Sequence, residues 1–264
     1  MAAIFIFFSR NFFWRKGLAS LLFFSIFLKT EIVHSASPTN SFSTLAERAE
    51  KEFQTARQRF EKNRTNSEAA WQFGRACFDR ADAATNNSQR EEIATQGISV
   101  CHQLIVRQPD SAPGHYYLGM NLAQLARTKK IGALKILKEM EREFLKTEEL
   151  DDSFDFAGAD RNLGMLYHEA PGWPMSLGNK NKARQHLERA VKLSPDFPEN
   201  RLYLIEASLK WGNQKVAQEQ IKALEELWPR AKKNLPDEKW AASWDDWEKR
   251  FQKVNRSKAQ NRLH

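Results

Sequence analysis

The chain has 264 residues, a formal net charge of +8 and 41% hydrophobic residues, which fits one or two globular domains. This composition argues against a collagen-like, disordered or multi-span membrane protein. With only two cysteines, Cys77 and Cys101, the chain is not a disulfide-rich scaffold either.

The positive charge is concentrated at the two ends of the chain. Residues 230–264 hold ten Lys and Arg against five Asp and Glu, whereas residues 38–229 are neutral, with 27 of each sign. Because the excess is confined to a tail, we expect no nucleic-acid partner. A basic tail of this kind is either solvated or in contact with an anionic lipid or polymer.

The first 37 residues are predicted to be a secretory signal peptide. Three cations precede the apolar run 17–28, and small residues around Ser35 follow it, which is the order of parts in a signal peptide. The run is shorter than the about 20 apolar residues of a membrane span, although an uncleaved anchor remains the alternative. No cysteine lies near the cleavage region. We therefore expect an exported protein of the periplasm or cell envelope, without a lipid anchor.

Four pairs of residues recur at a spacing of 34 residues. The pairs are Ala183 with Ala217, Leu187 with Ile221, Ala190 with Leu224, and Pro195 with Pro229. The first three lie on one face of a helix, and a proline is expected to end that helix. The chain thus resembles the tetratricopeptide-repeat (TPR) family. The resemblance implies an all-α fold, an α-solenoid of helix-turn-helix repeats with flanking N- and C-terminal helices.

The repeat pattern also predicts the organisation of the chain. Four repeats are expected within 67–229, and about ten helices in all. The predicted segments are a signal peptide (1–37), an N-terminal linker and capping helix (38–66), repeats at 67–109, 112–150, 155–195 and 198–229, a C-terminal capping helix (230–254) and a basic, disordered tail (255–264). The turn of the first repeat is expected to be lengthened around residues 83–92.

Motifs of catalysis, metal binding and phosphate binding are missing from the sequence. The histidines are scattered, and neither a phosphate-binding loop nor a nucleophile elbow occurs. We therefore expect no enzyme, no cofactor and no metal site. Cys77 and Cys101 fall on inward-facing positions of one repeat. Two alternatives remain open for them, a disulfide bond and a pair of buried free thiols.

The TPR resemblance implies a set of contact residues on the concave wall, which is built from the first helix of each repeat. The implied residues are Trp71, Arg75, Tyr116, Met120, Arg161, Met165, His168, Leu202 and Glu206. Such a mixture of aromatic, apolar and charged groups suits a peptide or a small apolar ligand. The alternative is that several of these side chains pack against a neighbouring helix.

Two stretches are less generic than the repeats, 156–164 and the Ala-Pro-Gly-Trp-Pro insert at 170–174. They are similar to the T component of TRAP transporters, a periplasmic TPR protein that partners a substrate-binding subunit. This resemblance implies a protein-interaction or ligand-binding adaptor associated with solute transport. Trp173 in the stiff insert either contacts a partner or covers the third repeat.

The alternative function is a structural scaffold in envelope assembly that uses the convex face and the basic tail. In either case membrane contact is expected only through the signal segment or the tail, and a homo-oligomer is left open.

Overall fold

The computed structural model describes residues 45–129, 132–172 and 175–260. Their regular elements are ten α-helices: α1 (Leu45–Lys62), α2 (Ser67–Asp82), α3 (Asn87–Arg107), α4 (Ala112–Thr128), α5 (Ala133–Leu150), α6 (Phe154–Glu169), α7 (Lys180–Leu193), α8 (Pro198–Lys210), α9 (Gln214–Asn234) and α10 (Asp237–Gln260). The predicted signal peptide and Trp173 lie outside the described residues. Within the described ranges no helix is long and apolar enough to cross a membrane.

The helices pack in chain order, and alternate helices form a second set of contacts. Each of the pairs α2–α3, α4–α5, α6–α7 and α8–α9 is closely packed, and α1 packs against α2. The first helices of successive pairs also contact one another, from α2 to α4, α6 and α8, and α10 contacts α8. First helices that form a continuous inner layer are the arrangement of an α-solenoid. The predicted all-α solenoid is confirmed.

The residues of the 34-residue pattern form the interior of the array. Those of the second helices α7 and α9 are fully or almost fully buried: Ala183, Leu187, Ala190, Ala217, Ile221 and Leu224. Gly164 shows why one position between the paired helices is so small. A Cβ on Gly164 would lie 2.6 Å from Cγ of Leu187, far inside van der Waals contact. Glycine there lets α6 and α7 approach closely.

Helix α4 is the most enclosed element of the array. Thirteen of its 17 residues are buried, because α3 and α5 flank it and α2 and α6 contact it from the inner layer. At Gly119 a Cβ would lie 2.7 Å from the ring of Phe144. Both the outward and the inward sides of α4 are therefore covered by protein.

Aromatic side chains close both ends of the solenoid. At the N-terminal end, Phe53 and Phe60 of α1 each pack 5.6 Å from Phe73. At the C-terminal end, Trp244, Trp247 and Val254 of α10 are buried against the fourth repeat, with Trp240 and Phe251 partly buried beside them. These aromatic residues of α10 are therefore core packing that covers the last apolar face, as a capping helix does.

Three boundaries differ from those expected. Pro229 lies inside α9, which continues to Asn234, because the proline is exposed while Leu227 and Ala231 are buried against the α10 cluster. The tail expected to be irregular from residue 255 is helical to Gln260. The connection between α2 and α3 is short, since the extra residues of the first repeat extend α3 to 21 residues.

Cys77 and Cys101 are buried, free thiols in the structure. Burial raises the pKa of both thiols far above the ordinary value, so neither forms the reactive thiolate. Cys101 also lines the close contact between α2 and α3, where a Cβ on Gly74 would lie 2.4 Å from its sulfur. The two cysteines therefore serve as small core residues.

A buried ion pair joins α4 to α5. Nδ1 of His115 lies 2.6 Å from the Glu143 carboxylate, and Nε2 lies 2.9 Å from the carbonyl oxygen of Pro109. Both partners are acceptors, so both ring nitrogens donate and the ring is an imidazolium. Burial would lower the pKa of His115, but the bonds to Glu143 and Pro109 outweigh it and raise the pKa. Burial would raise the pKa of Glu143, but His115 and Arg142 lower it.

We expect this pair to make stability depend on pH in both directions. The contribution of His115 is full below pH 6.5 and is lost as pH rises through its raised folded-state pKa. That of Glu143 is present above pH 4.5 and is lost as pH falls through its lowered pKa. Urea unfolding from about pH 4 to about pH 9 checks this by comparing the wild type with His115→Gln. His102→Gln, at a largely exposed position, is the control, and a pH-independent difference for His115→Gln would contradict the expectation.

Candidate functional site

The structure separates the predicted contact residues into buried and accessible groups. Tyr116, Met120, Arg161 and Leu202 are all at most 9% exposed. They pack against neighbouring helices, so the expectation that they line an open wall is wrong for these four. Of the others, Arg75 is exposed and Trp71, Met165, His168 and Glu206 are partly exposed, although only 6% of the His168 side chain is reached by solvent.

The inner side of α4 packs against α2 on one side and the start of α6 on the other. Trp71 of α2 stacks on Tyr117 of α4, with ring centres 5.8 Å apart and planes within 6°. Tyr117 meets Phe154 of α6 edge-on at 6.2 Å. Arg75 follows Trp71 by one helical turn, and half of its side chain is exposed. We call the surface formed by Trp71, Arg75, Tyr117, Phe154 and Asp155 the α4 cleft.

The Asp155 carboxylate is the fixed acidic group of the α4 cleft. The Tyr116 hydroxyl donates to its Oδ2 at 2.6 Å, and the Arg161 guanidinium donates to the same oxygen at 2.9 Å. Burial first, and the nearby Asp155 second, raise the pKa of Tyr116 well above its ordinary value, so its hydroxyl keeps the proton that it donates. About a third of the Asp155 side chain is exposed. Two buried donors thus hold in place an acceptor that solvent reaches.

Asp155 owes its position to a left-handed turn at the start of α6. Asp155, Phe156 and Ala157 have φ angles of 51°, 57° and 60°, a conformation that costs roughly 1–2 kcal/mol for each non-glycine residue. Arg161 donates to the carbonyl oxygens of Asp155 and Phe156, and the Asn200 side chain donates to that of Phe156 at 3.0 Å. These bonds offset the cost. Strained backbone held in this way is typical of functional sites.

Whether a glycine substitution raises or lowers the free energy of unfolding tests the left-handed turn. We expect Ala157→Gly to leave the free energy of unfolding unchanged or to raise it by up to about 1 kcal/mol, since glycine removes the left-handed penalty. Ala159→Gly, two residues on at an equally buried position outside the left-handed turn, should lower it by about 1 kcal/mol. Urea unfolding measures both. Equal destabilisation by the two substitutions would contradict the left-handed assignment.

At the other end of the concave wall the chain fills its own groove. Arg250 of α10 makes a two-fold contact with the Glu206 carboxylate, both distances being 2.9 Å. Its guanidinium also lies 4.2 Å from the ring centre of Tyr203. Arg161 and Glu199 approach to 3.4 Å between these two regions. Glu206, a predicted contact residue, is therefore bound by α10 and is not available to a partner.

One cluster has the composition of a metal site. Ligand atoms of Glu148, Asp160 and His186 lie within 4.8 Å of one another. The Arg189 guanidinium, however, lies 2.6 Å from Glu148 and 2.5 Å from Asp160. Because Arg189 already contacts both carboxylates and His186 bonds Asp160 at 2.8 Å, the cluster is an ion-pair network that joins α5, α6 and α7.

Phe154 and Asp155, which form the α6 side of the α4 cleft, are not among the contact residues predicted from the sequence. The predicted contact residues are those at the wall positions of the repeat family. In the third repeat the first such residue is Arg161. Phe154 and Asp155 lie before that position, in a turn whose positive φ angles occur at residues that are not glycine. Nothing in the residue types marks such a turn.

Solved structures with a similar architecture exist. The crystal structure of a thermophilic TPR protein from Thermus thermophilus aligns with a TM-score of 0.54 and a sequence identity of 21%. The alignment covers 71% of this chain and 91% of the Thermus chain. The crystal structure of MamA aligns with a TM-score of 0.49 and a sequence identity of 15%. That alignment covers 73% of this chain and 99% of the MamA chain.

Sequence comparison gives a narrower result. The family model described as RMD1-3, regulator of microtubule dynamics protein 1-3, matches residues 40–153, which is less than half of the chain. No curated protein matches the chain. The repeat pattern, the packing of the ten described helices and the likeness to the Thermus protein agree on one architecture. The chain has the tetratricopeptide-repeat fold.

Proposed function

We propose that this protein is an interaction adaptor that binds an extended segment of a partner protein in the α4 cleft. The observation that carries the proposal is the pair of accessible, opposite charges, Arg75 and Asp155, on the two sides of an aromatic floor. The nearest described carboxylate to Arg75 is that of Asp79, at 3.7 Å, which is longer than a hydrogen bond. The Arg75 donors are therefore available to a carboxylate or carbonyl group of the partner.

The acidic side of the cleft complements a donor. Both described hydrogen bonds to the Asp155 carboxylate go to Oδ2, which leaves Oδ1 for an amide or a cationic side chain. Trp71 and Phe154 are partly exposed and offer flat apolar surface between the two charges. Fixed polar groups beside aromatic surface are the features of a peptide-binding groove, because the aromatic surface gives affinity and the polar groups set the register.

A small apolar ligand is less well supported than a polypeptide. Two surface depressions illustrate this, one on α10 lined by Lys249, Gln252, Lys253 and Arg256 and one on α5 lined mainly by charged side chains. Both are lined mainly by residues with charged or polar side chains, and both lie away from the α4 cleft. An apolar ligand would need an apolar cavity, and the aromatic groups of the α4 cleft line an open surface.

Affinity capture by the tagged full chain from its own cells tests the proposal. We expect one partner to be retained, and Arg75→Ala to weaken its binding about tenfold or more, since a hydrogen bond to a charged group contributes about 1.5–3 kcal/mol. Arg107→Ala removes the same charge from an exposed position at the end of α3 and should change affinity less than about twofold. Equal retention by wild type and Arg75→Ala would overturn the α4 cleft as the binding site.

We further propose that the adaptor works in the cell envelope, in association with a solute-transport system. The sequence pattern of residues 1–37 and the insert at 170–174 support this. The described part of the insert is a closed loop, in which Gly178 donates to the Pro171 carbonyl at 2.9 Å and Asn179 to the Tyr167 carbonyl at 2.8 Å. Met175 in the same loop is 73% exposed. Capture of a substrate-binding subunit would support this role, and capture of envelope-assembly proteins would favour the scaffold alternative.

The family model favours a second candidate function, an adaptor that acts on microtubules. Its match ends at residue 153, before Asp155, so the α4 cleft is only partly inside the matched region. Co-sedimentation of the full chain with polymerised tubulin tests this candidate. Salt-resistant binding to the polymer would replace the envelope role, whereas recovery of the protein in the supernatant would exclude it.

A further inference from the structure

The second half of α10 contains cations and no acidic residue. From Lys249 to the C-terminus the sequence has six Lys and Arg and no Asp or Glu. One of the six, Arg250, is directed inward to Glu206. Lys249, Lys253 and Arg256 are exposed and are spaced by four and three residues, which places them on one face of the helix.

These three cations and Gln252 form a shallow surface groove of about 370 Å³. We call this surface the α10 basic face. Of the acidic groups next to the basic face, Asp245 accepts a hydrogen bond from Lys249 at 2.6 Å, Asp246 contacts Arg250 at 3.2 Å, and Glu248 is bound by Lys232 of α9 at 2.7 Å. All three lie at or before the first turn of the basic face. The face towards its C-terminal end is therefore a concentrated positive surface.

We propose that the α10 basic face adsorbs to an anionic lipid surface. The charge is complementary, and a rigid helix presents its cations in a line along a plane, as an extended lipid surface requires. Trp244 and Trp247 of α10 are buried, and Trp240 and Phe251 pack against the same core cluster. The face therefore lacks the aromatic stacking surface that single-stranded nucleic acid uses. The same aromatic residues are not free to insert into lipid, so the contact is electrostatic.

The sequence also predicts that the chain is directed to a membrane for export. Cations also precede the apolar run 17–28 at the other end of the chain, a combination typical of segments directed to a membrane. The proposal goes beyond peptide binding, because the α10 basic face shares no residue with the α4 cleft.

Vesicle co-sedimentation of the full chain tests the proposal. One set of vesicles is phosphatidylcholine alone, and the other contains about 30% phosphatidylglycerol. Binding to the neutral vesicles measures what the apolar N-terminal segment contributes. We expect the anionic vesicles to bind more tightly at about 50 mM salt and to lose that excess at about 500 mM.

The decisive comparison is between two pairs of substitutions with the same change in net charge. Lys253→Gln/Arg256→Gln should weaken binding to anionic vesicles about 25-fold, at about fivefold for each cation. Lys215→Gln/Lys222→Gln, at exposed positions of α9, should weaken it less than about threefold, through net charge alone. Circular dichroism checks that both variants keep their helices.

Three results would overturn the proposal. Equal losses for the two variants would make the effect one of net charge, and no loss for Lys253→Gln/Arg256→Gln would show that the face is not used. Tighter binding of the wild type to single-stranded DNA than to anionic vesicles, lost in the same variant, would assign the face to a polyanion instead.

Discussion

Replacing Arg161 with methionine is expected to lower the free energy of unfolding by about 3–5 kcal/mol, the usual cost of removing one partner from a buried ion pair. The Arg161 side chain is 6% exposed. It contacts Asp155 at 2.9 Å, Glu199 at 3.4 Å and the Asn200 amide oxygen at 3.0 Å. Methionine keeps much of the apolar part of the side chain. The loss of stability therefore measures the contribution of the charge and its hydrogen bonds.

The loss should be larger than that of a pair at the surface, because Asp155 is left without its cation and Glu199 keeps only the more distant Arg250, at 3.7 Å. The left-handed turn also loses the bonds that Arg161 donates to the carbonyl oxygens of Asp155 and Phe156. Arg161→Lys is expected to recover only part of the stability, since an ammonium group cannot reproduce the fork of donors. Burial would lower the pKa of Arg161, but Tyr116, Glu199 and Asp155 together raise it above the ordinary value, so the guanidinium stays charged throughout.

Urea unfolding followed by circular dichroism measures the effect. Arg201→Met on α8 is the matched control, because Arg201 is half-buried but bonds a carbonyl oxygen and an amide oxygen, those of Pro195 and Gln220. Its cost should stay within about 1 kcal/mol. Arg161→Met with no greater cost than Arg201→Met would show that the network between α6 and α8 contributes little to stability.

Trp247→Ala is expected to have an effect of similar size, about 3–5 kcal/mol. Trp247 is 1% exposed and packs against Phe197 at 5.2 Å, Trp244 at 5.0 Å and Trp240 at 5.9 Å. Its removal leaves a large cavity at the contact between α10 and the fourth repeat. The apolar face of α8 and α9 then loses the group that covers it.

Thermal unfolding checks this expectation, with Gln252→Ala on the exposed side of α10 as the control. The control should lie within about 0.5 kcal/mol of the wild type. A Trp247→Ala protein as stable as the wild type would mean that α10 is only loosely attached and that the fourth repeat is stable without it.

The repeat architecture could be predicted because its determinants are local. Alternation of small and large residues at 34-residue spacing places Ala183, Leu187 and Ala190 inside, and the structure buries all three. The third helix pair depends on a small residue as well, since a Cβ on Gly164 would lie 2.6 Å from Leu187. These signals depend on side-chain size and helical period, which the sequence contains directly.

The accessible part of the concave wall could not be predicted in the same way. Tyr116 and Arg161 occupy wall positions of their repeats, but the left-handed turn brings Phe154 and Asp155 over them. That turn is formed by long-range bonds, including one from Asn200 to the Phe156 carbonyl. Glu206 is occupied by Arg250, 44 residues later in the chain. Contacts of this range override the family position.

The network around Arg161 also limits how the gene could lengthen this array by duplication. Glu199 and Asn200 of the fourth repeat face Arg161 of the third, and the equivalent position of the fourth repeat is Leu202 by the repeat alignment. A second copy of residues 198–234 inserted before α10 would set its own glutamate against Leu202, a buried apolar side chain. The new carboxylate would be buried without a cation. A fifth repeat at this end would therefore need an arginine at position 202 as well as the duplication itself, so the number of repeats is fixed by a single charged residue.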